Sequence, residues 1–162
     1  MQWQEIVESP LFRDLPFKIE TDVAGRIVMS PASNRRGLYQ SRLATLLARL
    51  LPQGESIAEC SIQTADGVKV ADVVWISDAL LQSHEGVTPL PVAPEIVVEI
   101  ASPSNTVAEL MRKKELYFAR GAQEFWLCDE TAVLRFFNNH AELPASALVP
   151  DFPASIARKP AH

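Results

Sequence analysis

Cysteine is scarce in this 162-residue chain, with only Cys60 and Cys128 far apart in sequence. Neither a disulfide framework nor a CxxC metal or redox motif can be drawn from them, so both are expected as core thiols inside strands. Histidine is nearly as rare: His84, His140 and His162 stand in loop-like or terminal sequence with no ligand spacing, which speaks against a His-rich zinc site. No apolar run approaches the roughly 18 to 20 residues of a membrane span, and the start MQWQEIVESPLF lacks the basic and apolar regions of a secretory signal. The expected compartment is the cytoplasm. Repeats, low-complexity tracts and Gly/Ser linkers are also missing. Residues 1–162 therefore read as a single unit, with a core at about 15–140 and an irregular tail from about 144.

What is present is ordinary apolar material, 48% hydrophobic and 22% charged, enough for the core of one soluble domain. The net charge of -5 argues against a binder that relies on overall basicity. Its distribution is uneven. Residues 1–53 hold seven basic and five acidic groups, residues 54–99 one and eight, and residues 100–162 seven of each. A local basic groove remains compatible with that pattern.

Along the chain, WQEIVES reads as a short helix before Pro10, and FKIETD and GRIVMS as two strands turning at Gly25. From Arg35 to Leu51 the spacing of Tyr39, Leu43, Leu46, Leu47 and Leu50 marks one face of an amphipathic helix. Its other surface carries Arg35, Arg36, Arg42 and Arg49, read first as a solvated face. SIAECSIQT and VKVADVVWIS predict a hairpin of longer strands, residues 82–94 a loop, and PEIVVEIAS another strand. A helix is expected from Asn105 to Gly121, capped by Ser104 or Asn105, and then strands EFWLCD and AVLRFF turning at Glu130-Thr131. Strand, helix, strand from 95 to 129 implies a parallel crossover among antiparallel pairs, hence an α/β domain on one mixed sheet.

Charges inside apolar strands are costly unless paired, which singles out Asp72 in VKVADVVWI and Glu99 in PEIVVEIAS. Alternation puts Ile96, Val98 and Ile100 on one face of their strand and Glu95, Val97 and Glu99 on the other. Two such carboxylates on adjacent strands are tolerated around a divalent cation, and oxygen-only ligands favour Mg²⁺ or Mn²⁺; an exposed or salt-bridged acid at each position is the plainer alternative. On the following helix Val107, Leu110, Met111, Lys114 and Phe118 share an arc, with Tyr117 beside it and Lys113 at its edge. A lysine there can bring its ammonium to carboxylates at the strand end while its stem packs.

The run PEIVVEIASPSNTVAELMRKKELYFARGAQEFWLCDE, with IETDVAGRIVMSP and GVKVADVVWIS upstream, resembles the Uma-type restriction endonuclease family of the PD-(D/E)XK nuclease superfamily. The likeness covers roughly residues 15–130 in family order. It implies a restriction-endonuclease-like mixed β-sheet flanked by helices. It also implies a site in which Asp72 and Glu99 ligate Mg²⁺ (or Mn²⁺), the Ile100 carbonyl offers a further ligand, and Lys113 is the active-site lysine, with Lys114 the other candidate. Glu20 matches a recurrent acid of the opening hairpin. Three positions depart from the pattern: Ala71 replaces the proline before the aspartate, Ala101 stands where the strand lysine would be, and Asn34-Arg35-Arg36 replaces a segment that often carries histidine.

On that resemblance the expected activity is metal-dependent hydrolysis of phosphodiester bonds in DNA, with phosphate contacts from the arginines of residues 35–49 and the 112–114 cluster. Nuclease domains of this size often act in pairs, so a homodimer is a plausible assembly. Two rivals come from other classes: a nuclease-like fold that binds nucleic acid or protein without cleaving, and a plain metal-binding or oligomeric structural domain.

Overall fold

The computed structural model describes residues 2–158; Met1 and residues 159–162, including His162, lie outside the described residues. In chain order the elements are α1 (Trp3–Glu8), β1 (Phe17–Thr21), β2 (Ile27–Pro31), α2 (Asn34–Leu50), β3 (Gly54–Thr64), β4 (Gly67–Ser77), α3 (Asp78–Ser83), β5 (Ile96–Ile100), α4 (Val107–Ala119), β6 (Glu124–Cys128), β7 (Leu134–Phe137) and β8 (Glu142–Leu143). The short α3 and β8 go beyond the sequence reading: α3 follows directly on the last residue of β4, and two residues of β8 leave no readable alternation.

Strands β3 to β8 form a six-stranded sheet in chain order, and β1 and β2 a separate antiparallel hairpin. β5 and β6 run parallel with α4 as their crossover, while every other neighbouring pair is antiparallel. The sheet is therefore mixed. β5 and β6 are buried at every position, which matches their near-continuous apolar sequence. On one side Leu43 and Leu47 of α2 pack with Val73, Ile96, Val98 and Trp126; on the other Leu110, Tyr117 and Phe118 of α4 pack with Val74, Val97 and Phe125. Val107 is exposed, so the buried arc of α4 is centred on Leu110 and Tyr117 rather than reaching back to its first residue.

The start of α4 also corrects the expected cap. Thr106 is the N-cap, its hydroxyl accepting from the Glu109 N–H and its own N–H donating to Glu109 Oε2, both at 3.1 Å. A reciprocal box needs an acid three residues on, which Thr106 has and Asn105 lacks. Asn105 instead accepts from the Ser102 N–H at 3.0 Å and closes the turn after β5. At the other end Gly121 has φ 101°, the left-handed conformation that its place past the last turn requires.

The hairpin is fastened to β4 by polar contacts. Thr21 Oγ1 accepts from the Val68 N–H at 2.9 Å, and Glu20 Oε2 from the Val70 N–H at 2.7 Å. Gly67 permits this approach: its φ is 81°, and a Cβ there would stand 2.4 Å from the Asp22 carbonyl oxygen. Beyond β8, residues 144–158 form no helix or strand, yet Val149, Phe152 and Ile156 are buried in the α2-side core.

Candidate active site

β4 pairs with β5 through Val73 and Val98, and the ladder stops there. Continuing that register by one residue sets Asp72 opposite Glu99. Both stand on the face that carries Val74, Val97 and α4. Like charges directly across a strand pair repel, and both residues are nearly inaccessible, at 1% and 0% exposure. The conflict is resolved by a lysine that the sequence reading missed.

Lys18 of β1 places its Nζ 3.2 Å from Asp72 Oδ1 and 3.2 Å from Glu99 Oε2. The remaining oxygen of each acid is held elsewhere. Asp72 Oδ2 accepts from the Ile100 N–H at 2.7 Å, and Glu99 Oε1 from the Tyr117 hydroxyl at 2.7 Å. Lys113 Nζ lies 2.8 Å from both oxygens of Glu20 and 3.5 Å from Glu99 Oε1. Arg36 Nε approaches Asp72 Oδ1 at 3.8 Å. The result is a chain of alternating sign: Arg36, Asp72, Lys18, Glu99, Lys113, Glu20. Removing one member of such a buried set leaves an uncompensated charge, a loss of about 3–5 kcal/mol.

Burial pulls the Lys18 pKa down, but Glu99, Asp72 and Glu20 around it outweigh that and hold it well above its ordinary value. Its stabilising charge is thus complete below the ordinary lysine pKa of 10.5 and is lost only as pH rises through the elevated folded value. Burial, then the nearby Glu99 and Glu20, push the Tyr117 hydroxyl up as well, which keeps it a neutral donor to Glu99.

Asp72, Glu99, Lys113 and Glu20 are brought into one ion-pair chain. Ile100 joins it through its N–H. Lys114 points away, its Nζ 4.9 Å from the centre of the Phe137 ring, so Lys113 is the lysine of α4 that faces the acids. The arginine face of α2 is not simply solvated: Arg36 is buried against Asp72, and Arg42 donates to the Ile156 carbonyl at 3.1 Å. Arg35 and Arg49 are exposed. Both cysteines are buried strand thiols, their pKa values pushed up to about 12, chiefly by burial.

Lys18 was detectable in principle. It stands two residues before Glu20, so the two share a face of β1, and both are buried while Phe17 is exposed. The strand is inverted in polarity, charges inward, and a reader expecting apolar residues inward turns it the wrong way. A cleft opens at the Glu20–Lys113 end of the chain of charges, its lining including Lys69, Asn105, Glu109 and Arg112. Glu20 and Lys113 belong both to this lining and to the ion-pair chain, while Asp72, Glu99 and Lys18 are not part of the lining.

Whether these residues suit a divalent metal is decided by the donor set. Two carboxylate oxygens converge on a single cationic nitrogen, while their partner oxygens are fixed by a backbone N–H and a phenol, neither of which carries charge. Hard oxygen donors of this kind fit Mg²⁺ or Mn²⁺, and Mg²⁺ is commonly held by one or two carboxylates with substrate phosphates completing the shell. Among the described residues no group of three or more His, Cys, Asp or Glu side chains converges as a metal site, so the candidate donor set is the two carboxylates alone. Nor, among the described residues, is any helix long and apolar enough to cross a membrane.

Comparison with known proteins bears on the fold and the family. A solved structure described as "a putative nuclease belonging to DUF820", from Anabaena variabilis, superposes with a TM-score of 0.70 at 16% identity, covering 84% of this chain and 86% of that one. At that identity the likeness establishes the fold: an α/β, nuclease-like mixed sheet flanked by helices. No curated protein matches the chain. The profile of the Uma2 family, described as "Putative restriction endonuclease", matches residues 3–152, and the chain belongs to that family.

Proposed function

We propose that the chain is a divalent-metal-dependent endonuclease that hydrolyses phosphodiester bonds of DNA. One observation carries this reading: Asp72 Oδ1 and Glu99 Oε2 converge on one cation position, with the Lys113 ammonium beside the same acid. Asp72 and Glu99 would hold Mg²⁺ or Mn²⁺, with the Ile100 carbonyl as a further ligand. Bound there, the ion supplies Lewis-acid polarisation of a phosphoryl oxygen and lowers the pKa of a water molecule.

The chain's own residues do the rest. Lys113, held by Glu20 and Glu99, offers its ammonium hydrogens to the attacking water or to the charge developing on the phosphoryl oxygens. Glu20 fixes that ammonium from the cleft side and, through the Val70 N–H, ties it to β4. Tyr117 and the Ile100 N–H keep the two acids in orientation. Arg112, 66% exposed at the cleft, and the exposed Arg35 are available to phosphates on either side. A homodimer is the assembly expected to engage both strands of a duplex.

A second reading draws on Lys18. An acid pair already neutralised by a lysine suits a nuclease-like fold that binds nucleic acid without cleaving it. Incubation of supercoiled plasmid, single-stranded DNA and RNA with the protein in Mg²⁺, Mn²⁺ or EDTA separates the two. The endonuclease reading expects metal-dependent nicking of DNA that is lost in Asp72→Asn and Glu99→Gln. Salt-sensitive DNA binding with no cleavage in either metal supports the second reading instead.

A further inference from the structure

Lys18 occupies the point on which the two acids converge, and this has a consequence for how a metal enters. We propose that the Lys18 ammonium is a built-in competitor for the divalent cation: it holds the position between Asp72 and Glu99 in the resting protein and must withdraw before a metal ion binds there. The inference rests on the metal reading of the site given above.

Four observations support it. The same nitrogen lies 3.2 Å from one oxygen of each acid, so an ammonium and a divalent ion would have to share one gap, where their charges repel strongly. The other oxygens are pinned by the Ile100 N–H and the Tyr117 hydroxyl, so the acids keep their orientation when Lys18 leaves. Glu20, Asp72 and Glu99 are already balanced by Lys113, Arg36 and Lys18, so a metal ion added without displacement would put two surplus positive charges into a buried cluster. Finally, Lys18 belongs to the β1–β2 hairpin, outside the six-stranded sheet, and its flexible four-carbon stem can swing away with the central ladder intact.

The test is a Mn²⁺ titration of the full chain, free of nucleic acid, followed by calorimetry and by the electron paramagnetic resonance of unbound Mn²⁺. Lys18→Met is expected to bind Mn²⁺ on the order of tenfold or more tightly than the unmodified chain, because one positive charge has left the gap. Lys18→Arg, which keeps the charge, is expected to bind no more tightly than the unmodified chain. Lys18→Met should also melt lower in EDTA and recover more on adding Mn²⁺; a variant that folds only with Mn²⁺ supports the inference in stronger form. Equal or weaker Mn²⁺ binding by Lys18→Met, with binding still abolished by Asp72→Asn, overturns the inference and leaves the metal reading standing. Absence of Mn²⁺ binding in both the unmodified chain and Lys18→Met overturns both. A Lys18→Met chain that stays unfolded with and without Mn²⁺ also overturns the inference, since the metal then fails to replace the ammonium.

Discussion

Glu99 and Glu124 are buried glutamates on neighbouring parallel strands, β5 and β6, and they are satisfied in opposite ways. Glu124 takes its hydrogen bonds from neutral donors alone: the Trp126 indole N–H at 2.7 Å, the Ser146 hydroxyl at 2.6 Å, and the N–H groups of Ala147 and Leu148 at 2.8 and 3.0 Å. Glu99 has one neutral donor, Tyr117, and otherwise faces the ammonium groups of Lys18 and Lys113. The first acid is closed. It anchors the irregular tail to β6, and no cation takes part. The second, with Asp72 across from it, keeps an oxygen turned to the Lys18 ammonium, the position that the proposed function gives to a metal ion. Burial is common to both acids; what separates them is the charge of their partners, and the proposed function rests on that difference.

Substitutions can break this contrast at several strengths. Asp72→Asn and Glu99→Gln are each expected to lower the rate of metal-dependent DNA cleavage by about 10³-fold or more, since each removes a proposed metal ligand. Single-turnover rates in saturating Mn²⁺ are the measurement. Lys113→Met removes one preorganised donor and is expected to lower the same rate by roughly 10²–10³-fold. Lys114→Met, whose ammonium sits over Phe137, should leave the rate within about twofold. Tyr117→Phe leaves the ring packed and frees Glu99 Oε1, so the loss is expected in Mn²⁺ affinity, by about 10–100-fold.

On the other side of the contrast, Glu124→Gln keeps shape but removes charge from an acid that accepts four hydrogen bonds, with an expected cost of about 1–3 kcal/mol in urea unfolding. Its cleavage rate should stay unchanged. The smallest effect is the cysteines'. With folded thiol pKa values near 12 against an ordinary 9.0, their contribution to stability is complete below pH 9 and is lost as pH rises toward 12. At pH 8 the folded protein should leave a thiol reagent almost unreacted, and unfolding should expose both groups.

The same contrast explains what was legible in the sequence. Asp72 and Glu99 could be picked out because each interrupts an apolar strand, and Lys113 because it sits at the edge of the buried arc of α4. Element order and the mixed sheet followed from periodicity and the turn residues. Lys18 was not picked out and Arg36 was expected only as a phosphate contact, because each looks like a solvated charge on an amphipathic element until its partner on β4 or β5 is known. On the inward face of β1 Lys18 meets Asp72 and Glu99, while Glu20 meets Lys113 and the Val70 N–H, so its polarity is inverted by partners on other elements. Glu124 was hidden for a related reason: two of its partners are backbone N–H groups of a tail with no periodic pattern. The cap of α4 shifted by one or two residues through the reciprocal bond between Thr106 and Glu109, a detail that spacing could have supplied.

The most direct test of the central claim is calorimetric Mn²⁺ titration of three single variants, Asp72→Asn, Glu99→Gln and Glu124→Gln, beside the unmodified chain. The account predicts one Mn²⁺ site that is lost in the first two and retained at full affinity in Glu124→Gln. Equal Mn²⁺ binding in all four proteins, or loss in Glu124→Gln with retention in Asp72→Asn, would contradict it.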